Sequence, residues 1–238
     1  MFRQTTRDFC VNQQFRKDYW VKGCRTLTAL EQVEALRGQR ILLAQPRADV
    51  GLKVTGSLGE ATLQEAVYGP ILDQLADHKP KTLGQLEQAL KATPSTQSLS
   101  FAQILQAAMV LSATGAVQAV QDDAVVQKAK KRTDRLNVYL MTKARSSNEL
   151  SYLASPVTGG GVTVPRFQQL FLLAKQQGHK HPQDWANFVW NILALQNQRL
   201  VKDGKTLESA EENLAELTAQ ASEFAEKQLP ILKALQIA

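Results

Sequence analysis

Residues 98–120, SLSFAQILQAAMVLSATGAVQAV, carry the pattern that decides the fold. Apolar side chains from Phe101 to Leu111 recur at helical spacing, and Ser98 or Ser100 stands before them as a helix cap. After Gly115 the short apolar alternation of residues 116–120 predicts a strand. The stretch therefore predicts a helix that ends near Ala113 and leads directly into a strand.

The residues before this stretch predict two short strands and two further helices. Residues 39–46 and 51–55 are short apolar runs bounded by proline or glycine. Residues 60–77 have helical spacing, with a kink or a break expected at Gly69-Pro70, and residues 82–91 form a second helix capped by Thr82. Short strands, three compact helices and a last strand follow the order of a winged-helix-like unit.

The residues after it predict helices at 127–145 and 182–201, and a third that opens with the capping box Ser209/Glu212 and is ended or kinked by Pro230. We expect a turn at residues 202–205 between them. The best boundary lies near residues 121–126. The sequence therefore predicts a mainly α protein with a few short strands (α+β), divided into a winged-helix-like domain, 1–123, and a helical domain, 124–238.

A second informative stretch is residues 153–174, LASPVTGGGVTVPRFQQLFLLA, where three glycines precede a helix. Thr163 is the predicted N-cap, Pro165 stands in the first turn, and Gly178 supplies the stop. A glycine-rich loop aimed at a helix N-terminus can hold an anion. No lysine or hydroxyl follows in the phosphate-loop order, so a structural or protein-contacting loop is favoured over a cofactor cradle.

Composition limits the possible partners. The 238 residues carry a formal charge of +6, with a pI near 9.3, which permits an acidic partner without requiring one. The thiols Cys10 and Cys24 are expected to be buried, and the three histidines offer poor metal-ligand spacing. No apolar run approaches membrane-spanning length, and no signal-peptide pattern is present, so we expect a cytoplasmic protein without a membrane partner.

Two charged or aromatic segments stand out. Residues 5–21 place Phe9, Phe15, Tyr19 and Trp20 among charges, which suits a helix that packs on something larger. Residues 127–145 open with a basic run, which is either a patch for an anion or acidic protein or an ordinary solvated helix face. The members of this run are Lys128, Lys130, Lys131, Arg132 and Arg135.

Four phrases together resemble one bacterial family. DFCVNQQFRKDYWVKG (8–23) resembles the start of the methyltransferase regulatory domain, with its aromatic-flanked NxxFR element. Three further phrases are similar to the C-terminal region of the same proteins, and the resemblance spans nearly the whole chain. They are LSYLASPVTGGGVTVPRFQQLFLLA (150–174), FVWNILALQNQRLVKDGKTL (188–207) and ENLAELTAQASEFAEKQLPILKALQI (212–237).

The resemblance implies an accessory role. In that family these parts follow an S-adenosylmethionine-dependent methyltransferase domain, and some members methylate protein lysines. The cofactor-binding turn of such a domain is missing here. Gly56 and Gly59 in VTGSLGEA lie in too short a segment, and they lack the combination of a strand leading into a glycine-rich turn and an acidic residue at the end of the next strand that holds the cofactor. We therefore expect no cofactor in this chain and a methyltransferase domain, in cis or trans, as its partner. The expected contacts with that domain or with a protein substrate are Ser155, Thr158, Gly159, Gly160, Gly161 and Arg166.

Two other functions compete with this one. A winged-helix nucleic-acid regulator would use the basic run at 128–135, but residues 92–127 hold no Lys or Arg, so the presumed recognition helix and wing lack cations for phosphates. Nucleic acid is therefore the less favoured partner. A hydrolase triad drawn from Ser151 or Ser155, His179 and Asp184 lacks any nucleophile-elbow motif.

Overall fold

The computed structural model describes residues 2–13, 15–16, 18, 20–56 and 59–238. The protein is mainly helical with a few short antiparallel strands, which confirms the predicted fold class. Its contacts divide it into two compact units, Met1–Leu43 with Arg47–Gln118, and Ala44–Pro46 with Ala119–Ala238. In the described part of the chain, no helix is both long and apolar enough to cross a membrane.

The first unit is a three-helix core on a small sheet. The strands of this sheet are in the order β4-β1-β5, and β1 pairs antiparallel with β4, so that Arg40 lies opposite Thr82. A separate hairpin joins β2 to β3. The elements are α1 (Phe2–Cys10), α2 (Ala29–Arg37), β1 (Arg40–Leu43), β2 (Lys53–Gly56), β3 (Gly59–Thr62), α3 (Glu65–Leu75), β4 (Lys81–Thr82), α4 (Leu83–Lys91), α5 (Phe101–Ala113) and β5 (Val117–Ala119).

The predicted caps fix where the helices of this core begin. The Thr82 hydroxyl accepts from the Gln85 amide at 3.0 Å, and the Thr82 amide donates to the Gln85 side chain at 2.8 Å. Ser100 forms the same capping box with Gln103. Each helix then buries one apolar stripe against the sheet. The fully buried members include Leu43, Ile71, Leu72, Leu75, Leu86, Leu90, Ile104 and Leu111.

A buried ion pair attaches α2 to this core. The Arg37 Nε donates to the Glu87 carboxylate at 2.8 Å, and Lys91 donates to the same carboxylate at 2.7 Å. These bonds hold the pKa of Glu87 below its usual range. The guanidinium of Arg37 also lies over the Phe101 ring, 4.9 Å from its centroid. Helix α2 is not among the helices predicted from the sequence, although the capping box Thr28/Glu31 signals its start.

The structure corrects one prediction for residues 39–91, narrows a second and leaves a third open. Residues 59–62 form a strand instead of starting a helix, because Gly56 and Gly59 face each other at the end of the β2–β3 hairpin. The helix α3 continues through Pro70, which excludes the break at Gly69-Pro70 and leaves the expected kink a prediction. The winged-helix assignment stays a prediction: β5 leads straight to Asp122, the N-cap of the next helix.

The N-terminal segment differs from its prediction. The helix expected over 5–21 ends at Cys10, and α1 buries none of its side chains. Phe9, Phe15 and Trp20 are exposed, and Tyr19 lies outside the described residues. Both thiols, Cys10 and Cys24, are exposed, contrary to the expectation of burial. The reason is that no described residue covers this segment, so its apolar side chains stay at the surface.

The second unit consists of helices around one apolar core, with two small hairpins. Phe171, Trp185 and Phe224 form an aromatic cluster at its centre, with ring centroids 5.6 and 6.1 Å apart. The elements are α6 (Asp123–Lys143), β6 (Tyr152–Ser155), β7 (Gly160–Thr163), α7 (Arg166–Gln176), α8 (Pro182–Leu195), β8 (Val201–Lys202), β9 (Lys205–Thr206), α9 (Ala210–Glu223), a π-helical turn (Phe224–Gln228) and α10 (Leu229–Ala234).

Most local signals in this unit are confirmed. The capping box Ser209/Glu212 opens α9, and the π-helical turn interrupts the helix just before Pro230. The helix expected to reach residue 201 ends at Leu195, and residues 201–206 form a hairpin whose predicted turn has Asp203 and Gly204 at positive φ. Helical periodicity in the sequence therefore does not predict where these short hairpins lie.

Candidate functional site

The three glycines belong to a β-hairpin. β6 and β7 pair antiparallel with Ser155 opposite Gly160 and Tyr152 opposite Thr163. The turn is closed by the amide of Gly159, which donates to the Ser155 carbonyl at 3.0 Å. The ladder extends one step further, because the Val164 amide donates to the Ser151 carbonyl at 2.8 Å. The glycine segment is thus half of a regular two-stranded ladder.

This hairpin corrects the predicted helix start. Thr163 lies in β7 and does not cap a helix, and Pro165 precedes α7 as an N-cap residue without a side-chain bond. The glycines stand apart from the helix N-terminus, separated from it by Val162–Pro165 in extended conformation. An anion held between glycine amides and the α7 dipole is therefore inconsistent with the geometry.

Gly159 is a glycine for two separate reasons. Its φ is +71°, in the left-handed region that L side chains rarely adopt. A Cβ at this position would lie 2.9 Å from the Nε2 of Gln121, whose backbone amide donates to the Val157 carbonyl at 2.8 Å. The conformation and close packing of the turn account for this residue without any ligand.

Gly160 and Gly161 are exposed and less constrained. A Cβ on Gly160 would meet nothing within 4 Å, while one on Gly161 would touch the Tyr152 side chain at ordinary contact distance, 3.6 Å. Neither has a positive φ. Local packing therefore explains Gly159 and leaves Gly160 and Gly161 as bare backbone at the surface.

Ser155, a predicted contact residue, lies inside the unit. Its Oγ donates to the Leu235 carbonyl at 2.8 Å and accepts from the amides of Val157 and Thr158. The residue is 1% exposed, so it cannot touch a partner in this conformation. Ser155 is a structural residue that fixes the turn to the end of the chain, which corrects its assignment as a contact and as a nucleophile.

The other members of the hypothetical triad have their own partners. The Asp184 carboxylate accepts from the His181 amide at the start of α8. The His179 ring packs against Phe188, with centroids 5.8 Å apart. These contacts support the fold of α8 and give the hydrolase hypothesis no geometric basis.

Arg166 also differs from its predicted role. Its guanidinium donates to the carbonyls of Ala144 and Arg145, at 2.8 and 3.1 Å, and to the side chains of Gln196 and Gln198. Burial lowers the pKa of this arginine, which remains charged. A cation on the final carbonyls of a helix is favourable, so Arg166 joins the end of α6 to the segment after α8. Most of its donors are used internally.

The remaining predicted residue, Thr158, is half-buried in the hairpin turn. Its Oγ1 is inaccessible to solvent and has no hydrogen-bond partner among the described residues. Of the predicted contact set, only Gly159, Gly160 and Gly161 lie at the surface.

A residue that sequence reasoning missed closes one edge of the hairpin. The Asn137 amide on α6 donates to the Ala154 carbonyl at 2.8 Å, and its Oδ1 accepts from the Ala154 amide at 2.7 Å. This side chain therefore replaces a neighbouring strand along the outer edge of β6. The available signal was an asparagine at a buried position in the apolar half of a helix.

The opposite edge, that of β7, is open. Hydrogen-bonded and non-hydrogen-bonded pairs alternate along an antiparallel ladder, so the bond between residues 164 and 151 directs the amides and carbonyls of Gly161 and Thr163 away from β6. No described residue hydrogen-bonds to these outward backbone groups. We name this surface the open edge; it consists of Gly161 and Thr163 with their outward backbone groups.

The solvent face of α6 is strongly cationic. Lys128, Lys131, Arg132 and Arg135 each stand three or four residues from two others of the four. At 100° per residue Lys143 falls at the border of the same arc, so the five share one face of the helix. All five are exposed, and none of them forms an ion pair within the described part of the chain. We name this set the cationic stripe: Lys128, Lys131, Arg132, Arg135 and Lys143.

Comparison with known proteins gives one informative relative. The chain is 38% identical over 236 residues to an uncharacterized protein of Synechocystis sp.. The match covers 99% of this chain and 45% of that protein, so the chain spans less than half of the relative's length. No protein-family model matches the chain, and no solved structure matches it.

Proposed function

We propose that this chain is a non-catalytic, substrate-engaging region of an S-adenosylmethionine-dependent methyltransferase that acts on protein. The cofactor would bind a methyltransferase domain outside this chain, in cis or in trans, and the site of action would be cytoplasmic. The four family-like phrases support this proposal, and the length of the relative, of which the chain matches 45%, leaves room for a further domain.

The open edge is the observation that carries the proposal. An unpaired strand edge presents amides and carbonyls that accept an extended polypeptide as an additional strand. Gly160 and Gly161 place no side chain in front of that backbone, which lets another chain approach closely. A polypeptide substrate would therefore bind through its main chain here, while the chemistry takes place in the other domain.

The first experiment asks where the cofactor binds. Calorimetry of S-adenosylmethionine with this chain alone should give no binding heat, while the assembled protein that includes the methyltransferase domain should bind it. Micromolar binding to this chain alone would overturn the non-catalytic assignment.

The second experiment tests the edge in the assembled protein by the transfer of labelled methyl groups to protein. Gly161→Pro removes one outward amide without touching the ladder to β6. We expect transfer to fall about tenfold, while affinity for S-adenosylmethionine stays unchanged. Wild-type transfer rates in a folded Gly161→Pro variant would remove the edge from the proposal.

The nucleic-acid alternative has one observation in its favour, the unpaired cations of α6. Against it stands α5, the helix in the position of a recognition helix, because residues 92–127 include no Lys or Arg. Duplex readers obtain most of their affinity from such cations near the groove. We therefore favour the polypeptide.

A further inference from the structure

Four members of the cationic stripe, all but Lys143, form no ion pair or cation–π contact within the described part of the chain. The opposite face of α6 packs through Val126, Asn137 and Met141, while the stripe faces solvent. Like charges three or four residues apart each destabilise a helix by about 0.2–0.5 kcal/mol. A face that only keeps the helix solvated would mix both signs of charge along its length. These like charges therefore lower the stability of the helix slightly, and no ion pair among the described residues offsets that loss.

Other lysines of the second unit form ion pairs with carboxylates. Lys130 on α6 pairs with Asp134 one turn on, Lys202 pairs with Glu216 at 2.7 Å, and Lys227 pairs with Glu223 at 2.8 Å. The two acidic residues of α6, Asp123 and Asp134, lie off the stripe at the helical angle of 100° per residue. Lys128, Lys131, Arg132 and Arg135 thus form one positive surface, complementary to an acidic partner.

A pocket lies at the C-terminal end of the stripe. It has a volume of about 240 Å³ and is lined by Tyr139, Lys143, Ala144, Ser147, Glu149 and Leu150. Tyr139 and Leu150 are 58% and 52% exposed, so the pocket presents apolar surface to solvent. The Lys143 ammonium lies 5.5 Å from the centroid of the Tyr139 ring, so the charged and apolar surfaces meet here.

We infer that the cationic stripe and this pocket bind an acidic polypeptide segment that carries one large apolar side chain. Carboxylates of the segment would lie along Lys128–Arg135, and the apolar side chain would enter the pocket beside Tyr139. The stripe is about 22 Å long, which an extended segment of about seven residues spans. This inference rests on the proposed function, since it assigns a chemical class to the polypeptide engaged by the chain.

The composition of the pocket favours polypeptide over nucleic acid. Glu149 places a carboxylate in the pocket wall, where the evenly spaced phosphates of a nucleic acid would be repelled. Leu136 and Leu150 expose aliphatic surface that an apolar side chain can cover. A peptide can vary its charge from residue to residue, and so match both the stripe and the pocket.

The test is fluorescence anisotropy with the whole chain and labelled peptides of about nine residues, which alternate glutamate with serine and carry phenylalanine at one end or the other. We expect at least one of the two to bind, and the double variant K131E/R135E to weaken it at least tenfold. Tyr139→Ala should weaken the binding of this peptide about fivefold. The same variant should bind a matched peptide, in which alanine replaces phenylalanine, as tightly as the wild type does. The control K180E/K205E changes the same charge outside the stripe and should change affinity less than about twofold.

Three results would overturn the inference. One is no binding of either peptide to a chain whose fold is confirmed by circular dichroism. Another is an equal loss of peptide affinity in K131E/R135E and K180E/K205E, which would show that the effect depends only on net charge. The third is tighter binding of DNA oligonucleotides or of phosphatidylserine vesicles, lost in K131E/R135E, which would assign the stripe to those partners.

Failure of this inference can be distinguished from failure of the proposed function. Gly161→Pro changes the open edge and leaves every stripe residue in place, so peptide affinity should stay within about twofold of wild type. Cofactor calorimetry and methyl transfer in the assembled protein report on the proposed function independently of these short peptides.

Discussion

The two edges of the β6–β7 hairpin present the same kinds of backbone groups, but one edge is hydrogen-bonded within the protein and the other faces solvent. On the β6 edge, Asn137 bonds both the amide and the carbonyl of Ala154, so that edge is closed from within. On the β7 edge, Gly161 and Thr163 present the equivalent groups to solvent. An unpaired strand edge can accept an extended polypeptide as an additional strand. The difference between the edges leaves the β7 edge as the one available for the polypeptide docking that we propose.

The largest effect should come from breaking the ladder that both edges share. Val162 lies opposite Leu153 in a hydrogen-bonded pair, so Val162→Pro removes an inward amide. We expect the largest loss of this series in the free energy of unfolding, measured by urea denaturation, because proline removes a ladder hydrogen bond and is excluded from paired positions of a strand. A loss no larger than that of Gly161→Pro would show that the pairing alternates in the opposite sense.

Opening the closed edge should be nearly as costly. Asn137→Leu removes both side-chain partners of the half-buried Ala154 backbone, at a cost of about 2–3 kcal/mol. The matched control is Asn148→Leu at an exposed position, which should change stability by less than about 0.5 kcal/mol. Equal midpoints for the two variants in urea would mean that the β6 edge does not depend on Asn137.

A smaller effect separates the glycines of the turn and the strand. Gly159→Ala forces a side chain to φ +71° and against Gln121, so we expect a loss of about 1–2 kcal/mol. Gly160→Ala adds a methyl group to open space and should stay within about 0.5 kcal/mol of wild type. Thermal unfolding of the pair checks this. The distinction between the two glycines fails if both variants shift by the same amount.

The smallest effect on stability belongs to the open edge itself. Gly161→Pro removes an amide that faces away from β6, and edge strands accept proline at such positions. The free energy of unfolding should fall by less than about 1 kcal/mol. Together with the expected loss of methyl transfer, this result would separate a binding role from a structural one. A loss as large as that of Val162→Pro would instead make Gly161 a structural residue.

The sequence predicts the helices better than the hairpins. Ser100, Thr82 and Ser209 each precede an apolar stripe and cap a helix as expected, because capping and helical spacing are local properties. Residues 59–62 and 160–163 were assigned to a helix start and a loop, yet both form strands. Glycine-rich strands lack the apolar alternation that identifies a strand, so only pairing reveals them.

The site shows the same limit. The phrase around the three glycines identifies the correct segment, but the roles of Ser155 and Arg166 depend on partners 80 and 22 residues away. Asn137 was missed because a single polar residue on a helix carries no signal of the strand that it closes. The cationic run is visible in the sequence, whereas the structure is needed to show that Lys130 is paired with Asp134 and that the exposed Lys128, Lys131, Arg132 and Arg135 form no ion pair among the described residues.

Amide hydrogen exchange resolved by residue tests the account most directly, in the assembled protein with and without its protein substrate. In the free protein, the amides of Gly161 and Thr163 should exchange quickly and those of Gly160 and Val162 slowly, and substrate should slow the first pair. Slow exchange of Gly161 and Thr163 in the free protein would contradict the open edge. Unchanged exchange in the presence of bound substrate would contradict its use for docking.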